Sequence, residues 1–324
     1  MNATMYMAVA VAVAVVGNVV AVKNGQLGDM KRRDSGYADS TSVAQVDAFR
    51  QRFMSDGLKE IGNGAFGKVF KTIDMVTGKP AIVKMTEVTD DAANEVVIMK
   101  HVPDHQNIIG FLDSAIDVNE KFGMLIAMEY APNGALDDKL PRGRKNICGW
   151  SDKQAREYFV QILTGVEFLH KNGVAHLDLK PDNIMLGRDG RVKIIDFGLA
   201  VKHDGNLIDP TNKGTADYRP PEALSKKKVL TSGEKFDVWS LGTILYQMLA
   251  GQMPEADEKQ FRKNGWMLKF PDSLDLTKNK GPVPNMNCKL TAQAKALLHK
   301  MLVVDPAQRL SLKDVRSHPW VAKA

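Results

Sequence analysis

Residues 176–183 read His-Leu-Asp-Leu-Lys-Pro-Asp-Asn, and residues 196–198 read Asp-Phe-Gly. Two carboxylates, Asp178 and Asp196, with Lys180 and Asn183 between them, suit phosphoryl transfer from a metal-bound nucleotide. One carboxylate accepts or orients the proton of an attacking hydroxyl, the other binds Mg2+, and an amide oxygen completes the coordination by hard oxygen donors. Either piece alone reads as a solvated loop. Both together, behind a glycine loop and a lysine in a strand, do not.

The glycine loop is Ile61-Gly62-Asn63-Gly64-Ala65-Phe66-Gly67, followed by Lys68 and Val69. Glycines let backbone amides approach phosphate oxygens with no Cβ in the way. A dinucleotide site needs a helix after such a loop. Here residues 68–75, KVFKTIDM, read as a strand, so the loop joins two strands of a hairpin. The strand lysine is Lys84, inside the apolar run Ala81-Ile82-Val83-Lys84-Met85. Directed inward it needs an acidic partner. Glu95, leading the apolar run of a helix expected over residues 91–101, is the best candidate; Glu87, Asp90 and Asp91 are rivals on a solvated turn. Lys84 would then hold phosphate oxygens while Glu95 fixes its position.

The chain has 324 residues, room for one large or two lobed units at roughly 150 residues per domain. Hydrophobic residues at 44% and charged residues at 25% argue against disorder and against a multi-pass membrane protein. The two cysteines, Cys148 and Cys288, are too far apart for metal-ligand spacing and read as reduced thiols. The net charge of +6 reads as a solvated surface, and the basic runs at 31–33 and 226–228 lack interleaved aromatics, so nucleic acid is set aside. From residue 58 to 130, short apolar runs alternate with turn signals, as antiparallel sheet does. After Tyr130 the pattern becomes helical, with one helix expected between an N-cap at Ser151 and a C-cap at Gly173, and a buried one ending near Ala250. An α+β fold follows, with a sheet-rich lobe over 57–130, a mainly helical lobe over 131–320 and a cleft between them.

Residues 5–22, MYMAVAVAVAVVGNVVAV, carry no charge and are weakly apolar. They read in three ways: a signal peptide cleaved after Ala21, which would send the chain into the secretory pathway; a membrane anchor with the rest in the cytosol; or a loosely packed tail of a cytoplasmic protein. Any membrane association would run through this segment. Residues 23–56 are polar and rich in Gly, Asp, Ser and Lys, and read as a flexible arm.

At the residues quoted, the chain resembles the eukaryotic protein kinase family, over about residues 57–320. The resemblance implies a two-lobed kinase fold and an ATP- and Mg2+-dependent enzyme. It implies that Ile61, Gly62, Asn63, Gly64, Ala65, Phe66, Gly67 and Val69 cover ATP, that Lys84 and Glu95 form an ion pair, and that Met128, Glu129 and Ala131 line the adenine pocket. Asp178 is then the catalytic base, Lys180 steadies the γ-phosphate, and Asn183 and Asp196 bind the metal. Thr215 and Glu222 lie in the segment Gly214-Thr215-Ala216-Asp217-Tyr218-Arg219-Pro220-Pro221-Glu222; Asp237 resembles the anchor of the catalytic loop and Arg309 the partner of Glu222. Lys180 with Thr215 resembles the serine/threonine branch, implying protein Ser/Thr substrates and a monomer.

Three departures stand out. Leu177 occupies the place where many relatives carry an arginine that grips an activation-loop phosphate, and Lys202–Lys213 offers only Thr211 as a phosphorylatable hydroxyl. Activity independent of activation-loop phosphorylation is therefore expected. Pro220 replaces the usual alanine. Ala135 stands where some relatives have an acid, with Asp137 or Asp138 as substitutes.

Overall fold

The computed structural model describes residues 36–55, 57–64, 67–117, 120–141, 149–211, 213–224, 230–251, 253 and 290–323. The leader over 1–22, the arm as far as residue 35, both cysteines and both basic runs lie outside the described residues. Two compact units part after Tyr130. One runs to Asp104 and includes Ile109–Tyr130; the other comprises His105–Ile108 and the chain from Ala131.

The first unit holds helix α1 (Gly36–Phe53), strands β1 (Lys59–Gly64), β2 (Gly67–Ile73) and β3 (Pro80–Thr86), helix α2 (Asp90–His101), and strands β4 (Phe111–Ile116) and β5 (Met124–Glu129). The sheet is antiparallel throughout, in the order β1-β2-β3-β5-β4. Burial alternates along β3: Ala81 and Val83 are buried, while Ile82 and Lys84 lie half-buried on the other face. Helix α2 starts at Thr89, whose side chain accepts from the Ala92 backbone N–H at 3.2 Å, and it buries Glu95 among Ala92, Val96, Ile98 and Met99. A carboxylate in that company requires a cationic partner.

Over residues 36–53, the flexible arm expected for 23–56 is corrected by α1. Val46, Phe49 and Phe53, at helical i, i+3, i+7 spacing, pack against Ala81, Val83, Ala115, Leu125 and Ala127, the sheet face opposite Lys84. Polar contacts fix the helix at its end. Arg50 meets Asp117 at 2.5 Å, Arg52 makes a bidentate pair with Asp74 at 2.7 and 2.9 Å, and Thr72 Oγ1 donates to the Phe53 carbonyl at 2.7 Å. The Arg52 guanidinium holds the Asp74 carboxyl well below the usual carboxylate range, outweighing the opposing effect of burial.

The second unit is mainly helical, with α3 (Asp152–Lys171), α4 (Gly233–Ala250), α5 (Ala292–Met301), α6 (Leu312–Ser317) and α7 (Pro319–Ala322). Ser151 caps α3 by accepting from the Gln154 N–H at 3.3 Å, and Gly173, at φ 70°, turns the chain out of it. Helix α4 is buried almost all round and stops at Gly251, also at φ 70°. Among the described residues, six short strands follow the chain: β6 (Val174–Ala175), β7 (Ile184–Leu186), β8 (Val192–Ile194), β9 (Val201–Lys202), β10 (Leu207–Ile208) and β11 (Thr231–Ser232). They pair as β6–β9, β7–β8 and β10–β11. The loop at 176–183 joins β6 to β7 and the loop at 195–200 joins β8 to β9, so the two pairings set the motif loops side by side. Among the described residues, no helix is long and apolar enough to cross a membrane.

Candidate active site

In the first unit, β1 and β2 form the hairpin expected of the glycine loop, with Gly62 opposite Val69, Asn63 opposite Lys68 and Gly64 opposite Gly67. Ala65 and Phe66 at its tip lie outside the described residues, and Ile61 is exposed. Gly67, at φ 107°, cannot be replaced without strain: a Cβ there would fall 2.2 Å from the Met85 carbonyl oxygen. Lys84 lies opposite Val69 on one side and Ile126 on the other. Its Nζ donates to Glu95 Oε2 at 2.7 Å, with the Glu95 side chain 2% exposed. The rivals Glu87, Asp90 and Asp91 stay at the surface. Met128, buried, and Glu129 end β5; the Glu129 carboxylate accepts from Gly110 N–H at 3.2 Å, and the Glu129 N–H donates to the Gly110 carbonyl at 2.8 Å.

In the second unit, beginning at the buried Ala131, one network surrounds Asp178. Its Oδ1 accepts from the Thr215 N–H at 2.6 Å and the Thr215 hydroxyl at 2.8 Å. Its Oδ2 accepts from Lys180 Nζ at 2.9 Å and Asn183 Nδ2 at 3.0 Å. Lys180 Nζ also donates to Thr215 Oγ1 at 2.8 Å. Four donors from three residues, on two stretches of sequence, thus converge on one carboxylate.

The donor set fits a magnesium ion. Both hydrogen bonds of the Asn183 side chain, to the Asp178 carbonyl at 2.9 Å and to Oδ2, use its nitrogen, so its amide oxygen is the atom left for a cation. Asp196 stands in the left-handed region at φ 65°, a strained conformation for a residue with a side chain. Among the described residues, no group of three or more His, Cys, Asp or Glu forms a metal cage. One carboxylate and one amide oxygen match a cation that keeps waters and takes phosphate oxygens as its remaining ligands.

Residues 56–321 match the protein kinase domain family. The chain belongs to the protein kinase family, on its serine/threonine branch. Among its relatives are serine/threonine protein kinase OSK3 of Oryza sativa subsp. indica, 34% identical over 272 residues, and CBL-interacting protein kinase 16 of Oryza sativa subsp. japonica, 32% identical over 280 residues. A third is SNF1-related protein kinase catalytic subunit alpha KIN12 of Arabidopsis thaliana, 32% identical over 272 residues. Each alignment covers 81% of this chain and 49, 55 and 50% of the respective relative, so the chain spans about half the length of the curated relatives it matches.

The loop at 176–183 is held by Asp237, fully buried in α4. Its two oxygens accept from the His176 and Leu177 N–H groups at 2.9 Å each, and His170 Nε2 lies 2.7 Å from Oδ2. Burial works against the Asp237 charge, but the hydrogen bond from His170, with electrostatic and backbone contributions from His170 and His176, holds its carboxyl below the ordinary range. This grip maintains Leu177 at φ 62°. Its side chain is buried with Ala175, Ala223 and Phe236, with Val201 and Ile208 packed against them. Gly214 backs onto the same turn, where a Cβ would fall 2.5 Å from the Leu177 carbonyl oxygen. Arg309 and Glu222 form a buried bidentate pair at 2.9 and 3.0 Å, and the Arg309 guanidinium lies 5.0 Å over the Trp239 ring. Asp138 turns back on its own loop, accepting from the Ala135 N–H at 3.1 Å. Sequence reasoning missed His170, whose partner is distant in sequence and marked by no local pattern.

Proposed function

We propose that this chain is a monomeric, ATP- and Mg2+-dependent kinase that transfers the γ-phosphoryl group to serine or threonine hydroxyls of proteins. The observation that carries the reading is the convergence of Thr215, Lys180 and Asn183 on the Asp178 carboxylate. In the first unit, the Ile61–Val69 hairpin covers ATP, Lys84, steadied by Glu95, binds phosphate oxygens, and Met128 and Glu129 contact the adenine. In the second, Asp178 accepts the proton of the attacking hydroxyl as its oxygen bonds to the γ-phosphorus and the bond from that phosphorus to the β–γ bridging oxygen breaks, with ADP as the leaving group. Lys180, already within hydrogen-bond distance of Asp178 and Thr215, offsets charge on the transferred group. Asn183 and Asp196 would hold Mg2+, which when bound neutralises phosphate charge. Thr215 meets the acceptor side of the site, and the Glu222–Arg309 pair keeps the end of its segment in place. The names of the relatives support protein serine and threonine as acceptors.

The same reading holds that activity does not require activation-loop phosphorylation. Leu177 cannot bind a phosphate, and the segment has other attachments: Ile208 packs against the Leu177 cluster, and β10 pairs with β11 just before α4. Thr211 is exposed. The test incubates the full chain with Mg·ATP and a generic basic protein and identifies phosphorylated residues by mass spectrometry. Phosphoserine and phosphothreonine should form at equal rates before and after phosphatase treatment, and with Thr211→Ala. Loss of transfer in both would remove the independence from phosphorylation; phosphorylated metabolites without phosphorylated protein would remove the substrate class.

A further inference from the structure

Behind the catalytic loop lies a pair of half-buried imidazoles that the proposed chemistry does not use. His170 is in the last turn of α3, and His203 directly follows β9 in the activation segment. Their ring centroids are 5.4 Å apart, with the planes tilted by 46°. The tautomers follow from the other partners. The Gly205 N–H donates to His203 Nδ1 at 3.1 Å, so that atom carries the lone pair and the His203 proton sits on Nε2. The Asp237 carboxylate accepts a hydrogen bond from His170 Nε2–H at 2.7 Å, so the lone pair of neutral His170 sits on Nδ1. The two atoms left over, His203 Nε2 and His170 Nδ1, are both buried and both without a hydrogen-bond partner among the described residues. One is a donor and the other an acceptor. Unpaired buried groups of this kind are costly, and two ring nitrogens bonded at about 3 Å would put the centroids roughly 5 Å apart.

We propose that His203 is a positioning residue for the catalytic loop: its Nε2–H pairs with His170 Nδ1 and completes a His203–His170–Asp237 relay, tying the activation segment to the carboxylate that holds Leu177. The proposal rests on the phosphoryl-transfer reading, since Asp178 follows Leu177 directly. His203 is in turn fixed by its own backbone, which donates to the Gly173 carbonyl at 2.9 Å. The relay works with both rings neutral. A second proton on His170 would sit on Nδ1 and face the His203 N–H, donor against donor. At His203, burial and the neighbouring His170 imidazole oppose a charge and outweigh Asp237, Asp204 on the next turn and Glu234 at the start of α4, which favour one. Lys171 and Lys202 are exposed, and His176, beyond Asp237, is engaged with the Ile195 carbonyl and the Asp178 N–H.

The test compares the full-length wild type with His203→Phe, which keeps a ring but removes both nitrogens, and His203→Gln, which restores a donor near the position of Nε2. Imidazole 15N spectra read the hydrogen-bonding state of His170 Nδ1, and steady-state kinetics are followed between about pH 5.5 and 8.5. In the wild type His170 Nδ1 should show the signature of an acceptor in use, lost in His203→Phe and regained in His203→Gln. The kcat of His203→Phe should fall about tenfold, as for loss of an orienting partner, with KM for ATP unchanged and an altered acid limb; His203→Gln should recover most of it. A His170 signal indifferent to His203→Phe, or equal kcat losses in the two variants with an unaltered pH profile, would overturn the proposal. If the wild type transfers no phosphate, the functional reading fails, while the spectra still decide whether the relay forms.

Discussion

Replacing Phe49 by alanine tests whether α1 is part of the folded small unit. Phe49 is 2% exposed, and its ring lies 5.0 Å from that of Phe53, which is fully buried. Removing a buried phenylalanine side chain costs about 3–5 kcal/mol, transfer and cavity terms together. That is a large share of a typical domain stability of about 5–15 kcal/mol. With two compact units in one chain, a single unfolding transition would blur the effect, so native-state hydrogen exchange is the assay that reads each separately. At about 1.4 kcal/mol per factor of ten, amides of β3 and β5 whose exchange needs the small unit to open should lose protection by roughly a hundred- to several-thousandfold. Amides in α4 should not change. Val43→Ala, at a residue 55% exposed on the same helix, serves as the control and should stay within about 0.5 kcal/mol of wild type. Unchanged protection in β3 and β5 of Phe49→Ala, within about threefold, would refute the docking of α1.

Three further outcomes follow from particular contacts. Glu222→Ala leaves the Arg309 guanidinium buried without its carboxylate and should destabilise the second unit by about 3–5 kcal/mol, read by chemical denaturation; a loss below about 1 kcal/mol would show that the pair contributes little. Gly67→Ala combines a left-handed backbone with a backbone clash and should cost about 1–3 kcal/mol in the ligand-free chain, whereas a Cβ at Gly62 meets only Val69 at 3.6 Å and should be nearly neutral in thermal unfolding; the reverse order would contradict the hairpin geometry. The Asp74 carboxyl titrates lower folded than unfolded, so the stability it contributes is present above its unfolded value of about 4 and is lost as pH falls further. The denaturation midpoint of wild type should therefore drop more steeply below about pH 4 than that of Asp74→Asn, and parallel slopes would exclude the linkage.

Local chemistry made the candidate site legible. Asp178, Lys180 and Asn183 fall within one loop, and each residue type has few other uses in that combination. The ion pair of Lys84 with Glu95 could be read because a lysine in an apolar strand and a glutamate in an apolar helix each require a partner. Helix α1 escaped because its only apolar signal is the spacing of Val46, Phe49 and Phe53 within a polar stretch, and its stability comes from a sheet assembled downstream in the chain. Leu177 could be recognised as a departure, but its neighbours Phe236 and Ile208 are brought to it only by the β6–β9 and β10–β11 pairings. His170 and His203 were opaque for the same reason: their chemistry depends on Asp237, which lies on another helix.

The most direct test of phosphoryl transfer at Asp178 is single-turnover transfer from Mg·ATP by the full-length chain and by Asp178→Asn, at saturating ATP and protein acceptor. Asparagine keeps the size of the side chain and removes its capacity to take a proton. The account predicts that the wild type phosphorylates serine or threonine and that Asp178→Asn is slower by roughly a hundred- to ten-thousandfold, with ATP still bound. Equal rates for the two proteins would contradict it.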